Sequence, residues 1–95
     1  MLEKIKDSNT DKLAAAIVSV RNIEEAYRFL GDLCTISEIT EMSKRLTAAE
    51  MLRDGNTYNE IAEKTRLSTA TITRVNRALR YGNDGYAMVL DRISE

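Results

Sequence analysis

Around residue 70 the sequence alternates arginine, threonine and alanine in a pattern suited to reading the edges of base pairs. Advancing about 100° per residue along a helix, Ile72, Val75 and Leu79 share one face, while Ala70, Thr73, Arg74 and Arg77 share the opposite one. An arginine on such a face can hold guanine through two parallel hydrogen bonds or grip a phosphate. Alanine and threonine permit close approach and can offer methyl groups to thymine. Ser68 and Thr69 stand at the N-terminal end of this segment, the end that recognition helices commonly point into the major groove. With Lys64 just before the turn, the candidate DNA-contacting residues are Lys64, Ser68, Thr69, Ala70, Thr73, Arg74 and Arg77.

The surrounding charge is lopsided. The 95 residues carry a net charge of −1, yet residues 44–80 hold eight basic and four acidic side chains, a net of +4, and the remainder a net of −5. A basic segment within an acidic chain marks a phosphate-facing surface; on charge alone, a helix bearing incidental arginines remains the alternative. Other chemistry is thinly provided for. There is no histidine, which removes the commonest general base and metal ligand, and no carboxylate pair stands out from a solvated surface. An enzyme or a metal protein is therefore not expected. The single cysteine, Cys34, excludes an internal disulfide and fits a reducing compartment; its neighbours Leu30, Leu33 and Ile36 suggest that it is buried. The longest strongly apolar run, Leu13 to Val20, is far short of a membrane span, and no signal peptide is recognisable, so a cytoplasmic location is expected.

The elements that would position this surface are all helical, since no stretch alternates as a strand does. Six helices are expected in one domain. The first covers about Thr10 to Val20, with Leu13, Ile17 and Val20 on one face. The second follows an N-cap at Asn22 and carries Ile23, Ala26, Tyr27, Leu30 and Leu33 at helical spacing. Thr35 to Glu38 fits a capping box opening a third helix to about Asp54, with Ile39, Met42, Leu46, Ala49 and Leu52 inward and Gly55 closing it in the left-handed conformation. Thr57 to Glu60 is a second capping box, Ser68 caps a fifth helix running to about Arg80, and Tyr86, Val89, Leu90 and Ile93 mark a sixth. The fourth and fifth form a helix-turn-helix: the small Ala62 lets them cross closely while Ile61, Leu67, Ile72, Val75 and Leu79 fill the wedge. Arg66 stands where a glycine would ordinarily supply the positive φ of the turn, at a cost on the order of 1 kcal/mol.

Five sequence words extend the argument: Leu33-Cys34-Thr35 followed by Glu38; Ser43-Lys44-Arg45-Leu46; Met51-Leu52-Arg53-Asp54-Gly55; Tyr58-Asn59-Glu60-Ile61-Ala62; and Ser68-Thr69-Ala70-Thr71-Ile72-Thr73-Arg74-Val75. Together they make residues 33–90 resemble the Trp repressor family, in particular its YerC/YecD branch, and Ala70 to Arg74 reproduce a run found in the recognition helix of the Trp repressor itself. The resemblance implies a six-helix protomer intertwined with a second copy into a homodimer, with residues 1–54 mainly serving dimerisation, 57–80 the helix-turn-helix and 83–95 the last helix. It also implies an effector site, in which Thr35, Arg45, Thr71 and Arg74 match the polar positions that hold the tryptophan co-repressor. At the position of a glycine this chain has Val75, whose branched side chain occupies space an indole would need, and at that of a serine it has Ala78, which cannot bond the ligand's amino group. Tryptophan is thus not the expected effector. Another small anion, a DNA phosphate, or an acid such as Glu41 stay open as partners of Arg45 and Arg74.

Independently of the resemblance, the first three helices carry more apolar surface than so small a protomer can cover, which a two-fold dimer would bury. The expectation is an all-α, homodimeric regulator, a repressor, that binds a palindromic operator in double-stranded DNA. The competing reading is a helical interaction module whose basic face docks an acidic protein.

Overall fold

In the computed structural model, which describes residues 2–94, six α-helices follow a short 3-10 turn at Leu2–Lys4, and no strand is present among the described residues. They are α1 (Ser8–Ser19), α2 (Ile23–Leu33), α3 (Ile36–Arg53), α4 (Tyr58–Thr65), α5 (Thr69–Tyr81) and α6 (Gly85–Ile93). The number, order and helical character match the expectation from periodicity. The chain divides into two units, residues 1–36 and 37–95.

In the first unit, local side-chain bonds set the helix starts. The Asp7 carboxylate accepts the Thr10 amide at 2.8 Å, while the Thr10 hydroxyl accepts the Asp7 amide at 2.8 Å, a reciprocal cap that starts α1 two residues before the expected Thr10. Asn22 caps α2 as expected, its side-chain oxygen accepting the Glu25 amide at 2.9 Å. Neither α1 nor α2 buries a single residue within the protomer. Val18, Ile23 and Tyr27 are 82%, 77% and 75% exposed, and Leu13 and Ile17 are exposed as well. Cys34 departs from expectation: it is half-buried, because its neighbours Leu33 and Ile36 are exposed and do not enclose it.

The core belongs to the second unit. Ala48, Ala49 and Leu52 from α3, Ile61 from α4, Leu67 from the turn, Ile72 and Val75 from α5 and Leu90 from α6 form one buried cluster. Leu46, Met51, Tyr58, Ala62, Leu79 and Tyr86 pack around it. Ile61 and Ile72 are its largest fully buried side chains, each contributing roughly 1.5–3 kcal/mol by leaving water. The small Ala48 and Ala49 keep α3 close to the pair α4–α5, as Ala residues permit close helix approach. Met42, expected inward, is exposed, because the buried stretch of α3 begins only at Ala48. Val89 and Ile93 on α6 are exposed too; Leu90 is the one buried residue of that helix, with Tyr86 packed beside the core. A 2.6 Å ion pair between Arg53 and Asp91 adds a surface tie between the end of α3 and α6.

Backbone punctuation follows the sequence. Gly55 has φ of 87°, a conformation that disfavours any Cβ, and it ends α3. Arg66 adopts φ of 64° at the end of α4, confirming that this turn places an ordinary L-residue in the left-handed region. The Arg66→Gly variant should therefore be more stable by about 0.5–1 kcal/mol, the relief of the left-handed penalty less the added freedom of the unfolded chain. Urea unfolding at neutral pH measures this; a destabilised glycine variant would show that the arginine side chain contributes more than its backbone costs.

Candidate nucleic-acid interface

The presentation of the candidate surface begins with two caps. Thr57 accepts the Glu60 amide on its hydroxyl at 3.2 Å, and Glu60 reaches back to the Thr57 amide at 2.8 Å, so the expected capping box fixes the start of α4. Thr65, buried at the other end of α4, donates its hydroxyl to the Ile61 carbonyl at 2.8 Å and accepts the Leu67 amide at 3.2 Å. That single hydroxyl stitches helix to turn. Ser68 then caps α5, accepting the Thr71 amide at 3.1 Å and donating to the Thr71 hydroxyl at 3.0 Å. No acidic residue lies in the first turn of α5, so the positive end of its dipole is unopposed from within the helix.

With both ends set, the faces of α5 separate as the periodicity implies. Ile72 and Val75 are buried and Leu79 half-buried, whereas Thr69, Ala70, Thr73, Arg74 and Arg77 are exposed together with Ser68 and Lys64. All seven candidate DNA-contacting residues thus lie at the surface of one helix pair. Tyr81, which the sequence reading passed over, continues the same face: it lies about 180° around the helix from Ile72 and is 86% exposed. Counting the helix one residue further would have found it.

The basic side chains are not equivalent. Arg53 is neutralised by Asp91 and also reaches the Ala87 carbonyl at 3.5 Å, so it leaves the phosphate-facing set. Arg80 donates its Nε to the Asn76 side-chain oxygen at 3.3 Å. Arg74 and Arg77 have no carboxylate within ion-pair distance among the described residues.

The suggested effector positions are less gathered. Arg45 and Thr71 are half-buried and Arg74 exposed, all three in the second unit, while Thr35 lies in the first. Arg45 and Glu41 do not pair, which removes one of the partners the sequence left open. Val75 is spent on the core, packed in the same cluster as Ile61 and Ile72. Among the described residues no grouping of histidine, cysteine and carboxylates could hold a metal ion, and no helix is long and apolar enough to cross a membrane.

Comparison with known proteins bears on the whole chain. The sequence model of the Trp repressor protein family matches residues 8–94. The uncharacterised protein YerC of Bacillus subtilis (strain 168) is 51% identical over 94 residues, covering 99% of this chain and 90% of its own length. A TrpR-like protein from Eubacterium eligens ATCC 27750, known from its crystal structure, superposes with a TM-score of 0.91 at 51% identity, over 97% of this chain and 95% of that one. A crystallised protein from Staphylococcus aureus, assigned to the Trp repressor type, gives a TM-score of 0.92 at 46% identity, over 99% and 94%.

The cap that starts α4 also makes this helix pair sensitive to acid. The hydrogen bond from the Thr57 backbone amide, and then that from its hydroxyl, hold the Glu60 carboxyl below its ordinary value of 4.5. A carboxylate with a lowered folded pKa contributes fully above its unfolded pKa, and its contribution is lost as the pH falls through the folded value. Between neutrality and acid, stability of the wild type should therefore fall more steeply below about pH 4.5 than that of Glu60→Gln. Parallel pH profiles from thermal unfolding would contradict this role for Glu60.

Proposed function

The chain belongs to the Trp repressor family of DNA-binding regulators, in its YerC branch, and we propose that it acts as a homodimeric repressor reading a palindromic operator through the major groove. The observation that carries the reading is the division of α5 between a buried edge of Ile72 and Val75 and an exposed edge of Ala70, Thr73, Arg74 and Arg77. Small side chains admit the helix to the groove, and the two arginines supply bidentate contacts to guanine or phosphate. Thr69 and Ser68 sit where the N-terminal end of α5 meets the base edges and the flanking backbone. In a two-fold dimer the two recognition helices would address half-sites one helical turn, about 34 Å, apart. The protein works by binding rather than by turnover, in the cytoplasm, where DNA and a free thiol at Cys34 are both at home.

The dimer is supported by the first unit. A helix of this length is marginal on its own, yet α1 and α2 bury no residue within the protomer and expose Val18, Ile23 and Tyr27. A second copy covering these faces supplies the missing burial.

For the effector, Arg45, Thr71 and Arg74, with Thr35, are proposed to meet an anionic group other than tryptophan. The burial of Val75 supports that exclusion, since the valine is packed into the core at the place where an indole would need room.

Two measurements test this. DNA fragments selected from a random library, with and without added amino acids, should converge on a two-fold symmetric site that tryptophan does not alter. On that site Arg77→Ala should cost about 1–3 kcal/mol, with affinity falling steeply as salt rises. A blank selection, together with an acidic protein partner lost in Arg77→Ala, would instead identify an interaction module. Sedimentation should give twice the chain mass, and Val18→Glu with Tyr27→Glu should give a monomer with reduced helicity. A fully helical wild-type monomer at micromolar concentration would remove the dimer.

A further inference from the structure

The second unit contains a shallow concavity of about 180 Å³ between α3 and the end of α4, lined by Ser43, Lys44, Thr47, Lys64 and Thr65. Its lining holds two cations and three hydroxyls and no carboxylate. The contrast with the first unit is informative: there a concavity of about 380 Å³ sets one cation, Arg28, against two carboxylates, Glu25 and Asp32, so it offers an anion no net attraction. In the second unit neither Lys44 nor Lys64 has an ion-pair partner among the described residues. Glu60, one turn before Lys64 and its natural helical partner, is engaged at the opposite end of α4 with the Thr57 amide. Two uncompensated ammonium groups from different helices facing one hollow repel each other unless an anion lies between them.

The hydroxyls sort themselves by what they already do. Ser43 donates to the Thr40 carbonyl at 2.8 Å and Thr65 to that of Ile61, so both donors are committed. Thr47 makes no hydrogen bond among the described residues and retains a free donor. The available donors are therefore the Lys44 and Lys64 ammonium groups and the Thr47 hydroxyl, a set of point-charge and hydroxyl donors typical of phosphate binding.

We propose that this concavity is a phosphate-binding site, assembled by Lys44 and Thr47 of α3 with Lys64 of α4, and that it seats a backbone phosphate of the bound DNA. The assignment of the source rests on the DNA-binding reading above; the site itself does not. Thr65 on its wall is four residues from Thr69, so the two lie at most about 14 Å apart. The seated phosphate therefore belongs to the stretch of backbone flanking the bases that α5 reads. Thus α3, a helix outside the helix-turn-helix, takes part in fixing the register of α5 on the duplex, as backbone contacts do.

The test uses the full-length protein and the variants Lys44→Gln, Lys64→Gln and their combination, with Lys44→Arg as the charge-conserving control and circular dichroism to confirm folding. On selected DNA, each lost lysine should lower the slope of log affinity against log salt by about 0.9 per protomer, and Lys44→Arg should retain the wild-type slope. In parallel, inorganic phosphate titrated into the DNA-free protein should shift the amide signals of Lys44, Thr47 and Lys64, and the double variant should abolish those shifts. Phosphate-dependent shifts with an unchanged slope would uphold the site and assign it to a free phosphorylated ligand instead of DNA. If the wild type bound no DNA, the proposed function would fail while the phosphate titration still decided the site. Unchanged slopes together with no phosphate-dependent shifts lost in the double variant would overturn the proposal.

Discussion

The burial of Ile61 against Ile72 is the contact on which the functional geometry of the second unit depends. Both side chains are fully removed from water, one on each helix of the pair, and with Leu67 and Val75 they fix how α4 and α5 cross. A recognition surface needs that fixity, because a base edge accepts a hydrogen bond only over a few tenths of an ångström and a narrow range of angle. The turn between the helices is held in the same way. Thr65 bonds helix and turn together, and Arg66 accepts a strained backbone so that Leu67 can be delivered to the core. The strain at one exposed residue is small beside the apolar burial it permits.

Much of this was legible in the sequence because the determinants are local. Helix caps are short-range chemistry, and Asn22, Thr57 and Ser68 act as their spacing implies. The wedge was legible as well, since a helix of known pitch sorts its own faces. The failures occurred where a residue's state depends on something distant in the chain. Met42 has the right periodicity for the core, but the core does not extend to it. Arg53 contributes to the basic segment by count, and Asp91, 38 positions away, cancels it. Lys44 and Lys64 look like ordinary surface lysines until the packing of α3 on α4 brings them to one hollow. The capped start of α1 was missed for another reason: a threonine in the place usually held by glutamate closes the box with its hydroxyl.

Membership of the Trp repressor family sharpens what is particular to this chain. The recognition-helix run from Ala70 to Arg74 is followed by Val75, and that valine belongs to the interior. At this position apolar packing and a ligand cavity are alternatives, because the same volume cannot be filled twice. In this protein the volume at Val75 is filled by packing, in the cluster that holds Ile61 and Ile72.

The attachment of α6 has a consequence for how the protein comes apart. One buried leucine, the half-buried Tyr86 and an ion pair at the surface hold this helix, and the partners of that pair are 36% and 65% exposed. Exposed pairs contribute about 0–1 kcal/mol and are weakened by added salt. Within the second unit the last helix is therefore the element that frays first, with amides that exchange with solvent by partial opening while the helical amides around Ile61 and Ile72 exchange only when the whole unit unfolds. Ionic strength thus acts on two places in the molecule at once, loosening the grip on a polyanion and slackening the chain's own terminal helix.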